Sequence, residues 1–217
     1  MLTLVYKDLI CQKRNLWLVF AYAVLMHIAF FNLPDYSAYV AGAVAITYYL
    51  VTGQCAHEEN SKADILINSL PVERDTVVKA KYLTACVFTL MGLLASALVG
   101  TVIYSLGFDK SPADLYTLAL MAVTCVFLWS VFYPVYFKFG YIKARYYNLI
   151  VFLLVMFGSF MAVERLSRVW GGSLAGLPGL ALRPGLVPVL IALAASLLLG
   201  FLSLAVSLKV YREREFS

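Results

Sequence analysis

Long apolar runs separated by short polar breaks make up most of this chain. The first run, 16–33, has 18 residues, which at about 1.5 Å per residue is roughly enough to cross a hydrocarbon core. Further runs follow at about 38–54, 83–106, 115–137, 147–163 and 186–208. The pattern predicts an all-α integral membrane protein with six transmembrane helices in one transmembrane domain, 1–217. Pro134 should bend the fourth helix. Ahead of the first run, Leu2, Val5, Leu9 and Ile10 share a helical face while Lys7, Asp8, Lys13 and Arg14 fall elsewhere, so 1–15 reads as an amphipathic interfacial helix. No small-residue cleavage motif follows 16–33, and further spans come at once, so that run is a retained span and not a signal peptide.

Two breaks in the pattern differ from simple turns. The first, 55–82, carries Glu58, Glu59, Lys62, Asp64, Glu73, Arg74, Asp75, Lys79 and Lys81, nine of the chain's twenty-nine charged residues. Within it Ile65, Leu66, Ser69, Leu70 and Val72 sit at helical spacing, which gives a short helix one apolar edge. Pro71 stops that helix, and a second starts at Asp75 or Thr76 and runs into the third span. A stiff helical elbow and an ordinary solvated loop both fit this composition. The second break, 164–185, opens with Glu164 and Arg168 at i, i+4 beside Arg165 and Trp170, as in a short interfacial helix. Gly171, Gly172, Gly176, Pro178, Gly179, Pro184 and Gly185 follow, so a re-entrant pair of half-helices or a loose loop should replace a regular span there.

Composition and charge narrow the class. Hydrophobic residues make up 63% of the chain and charged residues 13%, with a mean hydropathy of +0.86, which excludes a soluble domain of this length. With the amino terminus inside, the inner segments hold thirteen of the seventeen lysines and arginines; Lys110, Arg165, Arg168 and Arg183 fall outside. The positive-inside rule therefore puts both termini and the 55–82 elbow in the cytoplasm. The net charge of +5 follows from those inner segments and does not indicate nucleic-acid binding. Cys11, Cys55, Cys86 and Cys125 are too scattered for a disulfide framework or a zinc site.

Candidate chemistry is sparse. The spans as bounded above contain no Asp, Glu, Lys or Arg, whereas ion-coupled carriers generally place such groups at mid-membrane. His27 is the one titratable exception, and a hydrogen-bonded packing role is its ordinary reading. His57-Glu58-Glu59 lacks the second histidine of a zinc protease motif, and there is no GxxxxGK[ST] loop to bind ATP. The glutamate pair also resembles the start of the EExxxR motif of CAAX-type membrane proteases, but Ala63 stands where that motif has arginine. No catalytic residue, metal site or resident cofactor is expected.

The stretch from Glu58-Glu59-Asn60-Ser61-Lys62 through Asn68-Ser69-Leu70-Pro71-Val72-Glu73-Arg74 to Val77-Val78-Lys79-Ala80-Lys81-Tyr82-Leu83 resembles the inner loop of small ABC-2-type permeases. The opening Tyr6-Lys7-Asp8-Leu9, with basic residues before the first span, is similar too. The resemblance implies the membrane half of a bacterial ABC exporter in the plasma membrane, paired with a second permease copy or paralogue. A separate cytoplasmic ATPase subunit would hold ATP and magnesium. In that picture 55–82 is the coupling elbow: Ile65, Leu66, Leu70 and Val72 form its apolar key, with Ser69 in the same core. Glu58, Glu59 and Arg74 make ionic contacts, and Pro71 fixes the turn. Glu164, Arg165, Arg168 and Trp170 belong to an outer gate. His27, Phe31, Tyr48, Tyr49 and Trp129 are candidate pathway residues for an amphipathic cargo such as an antimicrobial-type peptide, with lipid contact as the competing role of the aromatics. A membrane scaffold or sensor subunit, and an uncoupled channel, are the alternatives.

Overall fold

The computed structural model describes residues 2–32, 35–61, 73–107, 112–173 and 186–213; at 14, 35, 156, 159–160, 162–173 and 186–190 it describes the backbone alone. Those residues form seven α-helices: α1 Leu2–Gln12, α2 Leu16–Ala29, α3 Asp35–Asn60, α4 Arg74–Ser105, α5 Leu115–Phe139, α6 Tyr141–Ser173 and α7 Leu186–Glu213, with one 3-10 turn at Lys13–Asn15 joining α1 to α2. No strand occurs among them. An all-helical chain with a short entry helix ahead of longer ones fits the all-α membrane class read from the sequence. Three of them, α4, α5 and the Ile191–Glu213 part of α7, are long and apolar enough to cross a membrane, and α2 is a shorter apolar helix.

Helix α3 is the centre of the bundle, packing against α1, α2, α4, α5 and α6. Its stretch Ala38–Thr47 is buried on every side. That is possible because the interface is built from small residues, which let backbones approach where lipid offers no hydrophobic drive between helices. Gly92 of α4 is one such point: a side chain there would meet Ala43 O at 3.0 Å and Thr47 Oγ1 at 2.9 Å. Gly100 would likewise drive a side chain into the Tyr39 ring.

The helix ends follow from local chemistry. Asp114 caps α5, accepting from Thr117 N at 2.9 Å and Thr117 Oγ1 at 2.7 Å. Gly140, at φ 77°, ends it in the left-handed region. Helix α4 begins at Arg74 with Glu73 as an extended N-cap, just ahead of the start expected at Asp75 or Thr76. Helix α6 runs unbroken through Gly171 and Gly172 to Ser173, so the short interfacial helix expected at 164–170 is the end of a longer one.

Pro134 acts through a neighbour. It has no N–H for the carbonyl of Ser130 one turn back, and Ser203 Oγ of α7 donates to that carbonyl at 2.6 Å. Ser203, having spent its proton, accepts from Tyr82 OH at 2.6 Å, and Ser207 Oγ completes the chain at 2.8 Å. One proline thereby pins α4, α5 and α7 together.

Candidate functional site

The richest polar constellation lies where α3 and α4 meet the 62–72 segment that joins them. Glu58 sits two residues before the last helical residue of α3, and Lys81 two turns into α4. Helix α1 crosses beneath and contributes Lys7 and Asp8. It buries Val5, Asp8 and Gln12 and leaves Leu2, Tyr6 and Ile10 exposed, so part of its polar face is turned into the bundle.

The four charges balance. Lys81 Nζ bonds Glu58 Oε2 and lies 3.9 Å from Asp8 Oδ2. Lys7 Nζ is 2.7 Å from Glu58 Oε1 and 3.1 Å from Asp8 Oδ1. Asp8, Glu58 and Lys81 are 2%, 4% and 4% exposed, so only Lys7 reaches solvent. Around them, Gln54 Nε2 donates to Asp8 Oδ2, Thr84 Oγ1 donates to the same oxygen at 3.3 Å, and Tyr136 OH donates to Glu58 Oε2 at 3.5 Å. Tyr133 OH donates to the carbonyl of Lys81 at 3.2 Å. Four helices, α1, α3, α4 and α5, thus converge where α3 and α4 flank the 62–72 segment.

The two carboxyls respond differently. Burial alone raises both, but at Glu58 the ammoniums of Lys81 and Lys7 outweigh it and hold the group below its ordinary value. At Asp8 burial wins, helped by the negative charge of Glu58, and the group lies above its ordinary value. The difference follows from geometry, since both lysines bond Glu58 and neither is squarely aligned on Asp8.

A second clamp holds the other arm. Arg212, in the last turn of α7, makes a bidentate pair with Asp75, with Nε donating at 2.7 Å, and Arg74 Nη1 donates to the carbonyl of Arg212 at 3.0 Å. Both ends of the described chain therefore grip the helices flanking 62–72, through α1 on one side and α7 on the other.

The residues singled out from the sequence are placed as follows. Glu58 is buried and bonded within the bundle, Glu59 is half-buried, and Arg74 is exposed. Ile65, Leu66, Ser69, Leu70, Pro71 and Val72 lie outside the described residues, as does 174–185. Glu164, Arg165, Arg168 and Trp170 are on the last turns of α6, with only their backbone described. His27 is 6% exposed, its Nδ1 lies 2.9 Å from Ala23 O, and its ring meets Tyr39 edge-on. Trp129 is buried and donates to Thr89 Oγ1 at 3.3 Å; Tyr48 stacks on Phe152, Tyr49 on Tyr22, and Phe31 is exposed at the end of α2. Sequence reading missed Lys81 as the partner of Glu58, and Asp8 and Gln54 as members of the same cluster. Their signal was a charge of each sign at helical positions next to apolar runs, with Gln54 one turn before Glu58.

A separate groove of about 650 Å³ opens between α6 and α7 over α5, lined by Val123, Phe127, Leu154, Gly158, Ala195 and Leu199 among others. The hydroxyls at its wall, Thr124 and Ser196, are bonded to carbonyls of their own helices, so it offers apolar surface. Among the described residues no group of three His, Cys, Asp or Glu comes together to hold a metal.

Comparison with known proteins points one way. A family model described as ABC-2 family transporter protein matches residues 3–212, nearly the whole chain. No curated protein and no solved structure matches.

Proposed function

We propose that this chain, which belongs to the ABC-2 transporter family, is the pathway-forming subunit of an ATP-driven exporter in a bacterial plasma membrane. It is a multi-pass membrane protein and a permease by family; the energy source, the pairing and the cargo are our reading. Two copies, or this chain and a paralogue, would form the pathway, with both termini and the 62–72 elbow on the cytoplasmic side. Each elbow would seat in a soluble ATPase subunit that binds ATP and magnesium.

The observation that carries this reading is the double clamp at the elbow base. A push on 62–72 meets α3 and α4 through Glu58 and Lys81, α1 through Lys7 and Asp8, and α7 through Arg212 and Asp75. Such a joint moves helices as bodies, which is what an ATPase stroke must do to open an outer mouth. With Glu58 committed inside the bundle, ionic docking falls to Glu59 and Arg74, and the apolar key to Ile65, Leu66, Leu70 and Val72. Glu164, Arg165, Arg168 and Trp170 would gate the far side. The apolar groove over α5 supports a cargo with a hydrophobic face, and an amphipathic peptide fits that requirement.

Purification of the chain from its native membrane in mild detergent, with partners identified by mass spectrometry, tests the reading. A stoichiometric soluble protein with a GxxxxGK[ST] loop is expected. Leu66→Asp with Leu70→Asp should abolish its capture while the chain still inserts. Recovery of the wild-type chain without such a protein overturns the exporter reading in favour of a scaffold or channel.

A further inference from the structure

Two buried acceptors at the elbow base share one unmet need. Asp8 Oδ1 has no aligned hydrogen-bond donor, and Gln54 Oε1 has none either, among the described residues. Lys7 Nζ approaches Asp8 Oδ1 at 3.1 Å, but off the hydrogen-bonding direction and from a half-exposed side chain. The other atoms of the same two groups are already joined, Gln54 Nε2 donating to Asp8 Oδ2. Buried polar atoms left without partners are rare and call for an explanation. A single proton supplies one here. A proton on Asp8 would turn the carboxyl into a donor, the partner that Gln54 Oε1 lacks, while Gln54 Nε2 goes on donating to Asp8 Oδ2.

We propose that Asp8 is a proton-binding site of this permease, taking its proton from cytoplasmic water and holding it against Gln54 as a neutral acid. The titratable groups that face it come from each element packed around it: Lys7 on α1, Glu58 on α3, Lys81 on α4 and Tyr133 on α5, with Cys55 beside Lys81 and Tyr136 against Glu58. Lys7 and Lys81 favour the carboxylate; burial and Glu58 favour the acid, and the balance lies on the acid's side of the ordinary value. Protonation takes the cluster from balanced to one positive charge in excess. Both lysines then have Glu58 as their only carboxylate, and α1 loses its ionic hold on α4. As the cytoplasm acidifies, the joint that grips the elbow would therefore exchange an ionic contact between α1 and α4 for a neutral one between α1 and α3, a consequence that rests on the permease reading although the site does not.

Infrared difference spectroscopy of the full chain in lipid vesicles tests the site directly. The carbonyl band of a protonated carboxylic acid should appear as pH falls, shift on exchange into heavy water, and be missing from Asp8→Asn. Its midpoint should lie above the ordinary aspartate value of about 4. Carbon-13 aspartate in the wild-type chain assigns the band to aspartate without any variant. Absence of an aspartate band above that pH, or one that persists in Asp8→Asn, overturns the proposal. A second readout is thermal stability near neutral pH. Asp8→Asn, whose amide donates to Gln54 as the acid would, should melt close to wild type and well above Asp8→Ala. Equal losses in the two variants would show that the site needs the anion and would also overturn it. The pull-down of the ATPase is independent of both readouts, so the two readings fail separately.

Discussion

Helices α3 and α4 touch along two stretches built on opposite principles. Around Ala43 and Gly92 the contact is made of small side chains at van der Waals distance, and Ser96 Oγ donates to Tyr39 O at 3.0 Å. Some four turns along, at Gln54, Glu58 and Lys81, the same two helices meet through charges and amides with α1 wedged between. Close-packed small residues admit one arrangement, because any shift opens a void or makes a clash. A charge cluster admits several, since an ammonium can change partners within the same volume. One stretch is a weld and the other a joint, and the joint adjoins the elbow.

Cutting the joint should give the largest effect. Lys81→Ala leaves Glu58 and Asp8 buried with only Lys7 to serve them, and breaking a buried pair in this way costs about 3–5 kcal/mol. Denaturant titration of the purified chain in mixed micelles measures it. Replacing both partners, Lys81→Met with Glu58→Gln, should recover a large part of the loss, because neither charge is then stranded. A double variant as unstable as Lys81→Ala would mean that the side chains are held by packing and not by each other.

Crowding the weld comes next. Gly92→Ala places a methyl against the backbone oxygen of Ala43 and against Thr47 Oγ1, and overpacking of this kind costs about 1–3 kcal/mol. Unlike the Lys81 variants, it should leave the pH dependence of stability unchanged. A change in that dependence would show that the two stretches are one unit.

The contrast also marks what the sequence could show. The apolar runs and the entry helix are local signals with local causes, and they were legible as helices. The joint was not. Reading Lys81 and Glu58 as elbow residues followed from hydropathy windows, which end a span at its first charge, whereas helices α3 and α4 continue through those charges because Lys7 and Asp8 compensate them from the other end of the sequence. Asp8 belongs to a helix whose apolar residues suggested that its polar side would face water, and only the tertiary contact turns that side inward. Ser203 capping the carbonyl that Pro134 leaves free was equally hidden, since nothing local ties a serine in α7 to a proline in α5.

Titration separates the carboxyls of the joint with a smaller effect. Glu58 lies below its ordinary value in the folded chain, so its contribution is present above about pH 4.3 and is lost as pH falls through the folded value. Asp8 lies above its ordinary value, so its contribution is present below about pH 3.9 and is lost as pH rises through the folded value. Each slope is at most about 1.4 kcal/mol per pH unit, the value for one proton. Wild type should therefore lose stability on strong acidification. In Glu58→Gln that acid loss should disappear, and the opposing Asp8 slope should shrink because the charge that raises Asp8 has gone. An unchanged acid limb in this variant would place the responsible carboxylate elsewhere.

The smallest effect is expected at the second clamp, and it tests whether the joint needs both ends of the chain. Arg212 and Asp75 are paired at the surface, where water and salt screen the attraction, so Arg212→Ala should barely move the denaturation midpoint. Its consequence should appear in motion. Without that pair the start of α4 is held to α7 by the Arg74 bond to the backbone carbonyl at 212 and by the Tyr82–Ser203–Ser207 hydrogen bonds two turns further in. Amide exchange over the first turn of α4 should therefore speed up in Arg212→Ala, and high salt should produce the same acceleration in wild type. Exchange around Lys81 should stay slow in both, because the buried cluster holds that turn independently. If the Lys81 turn opened as well, the two clamps would be a single device and the elbow would be gripped from one direction only.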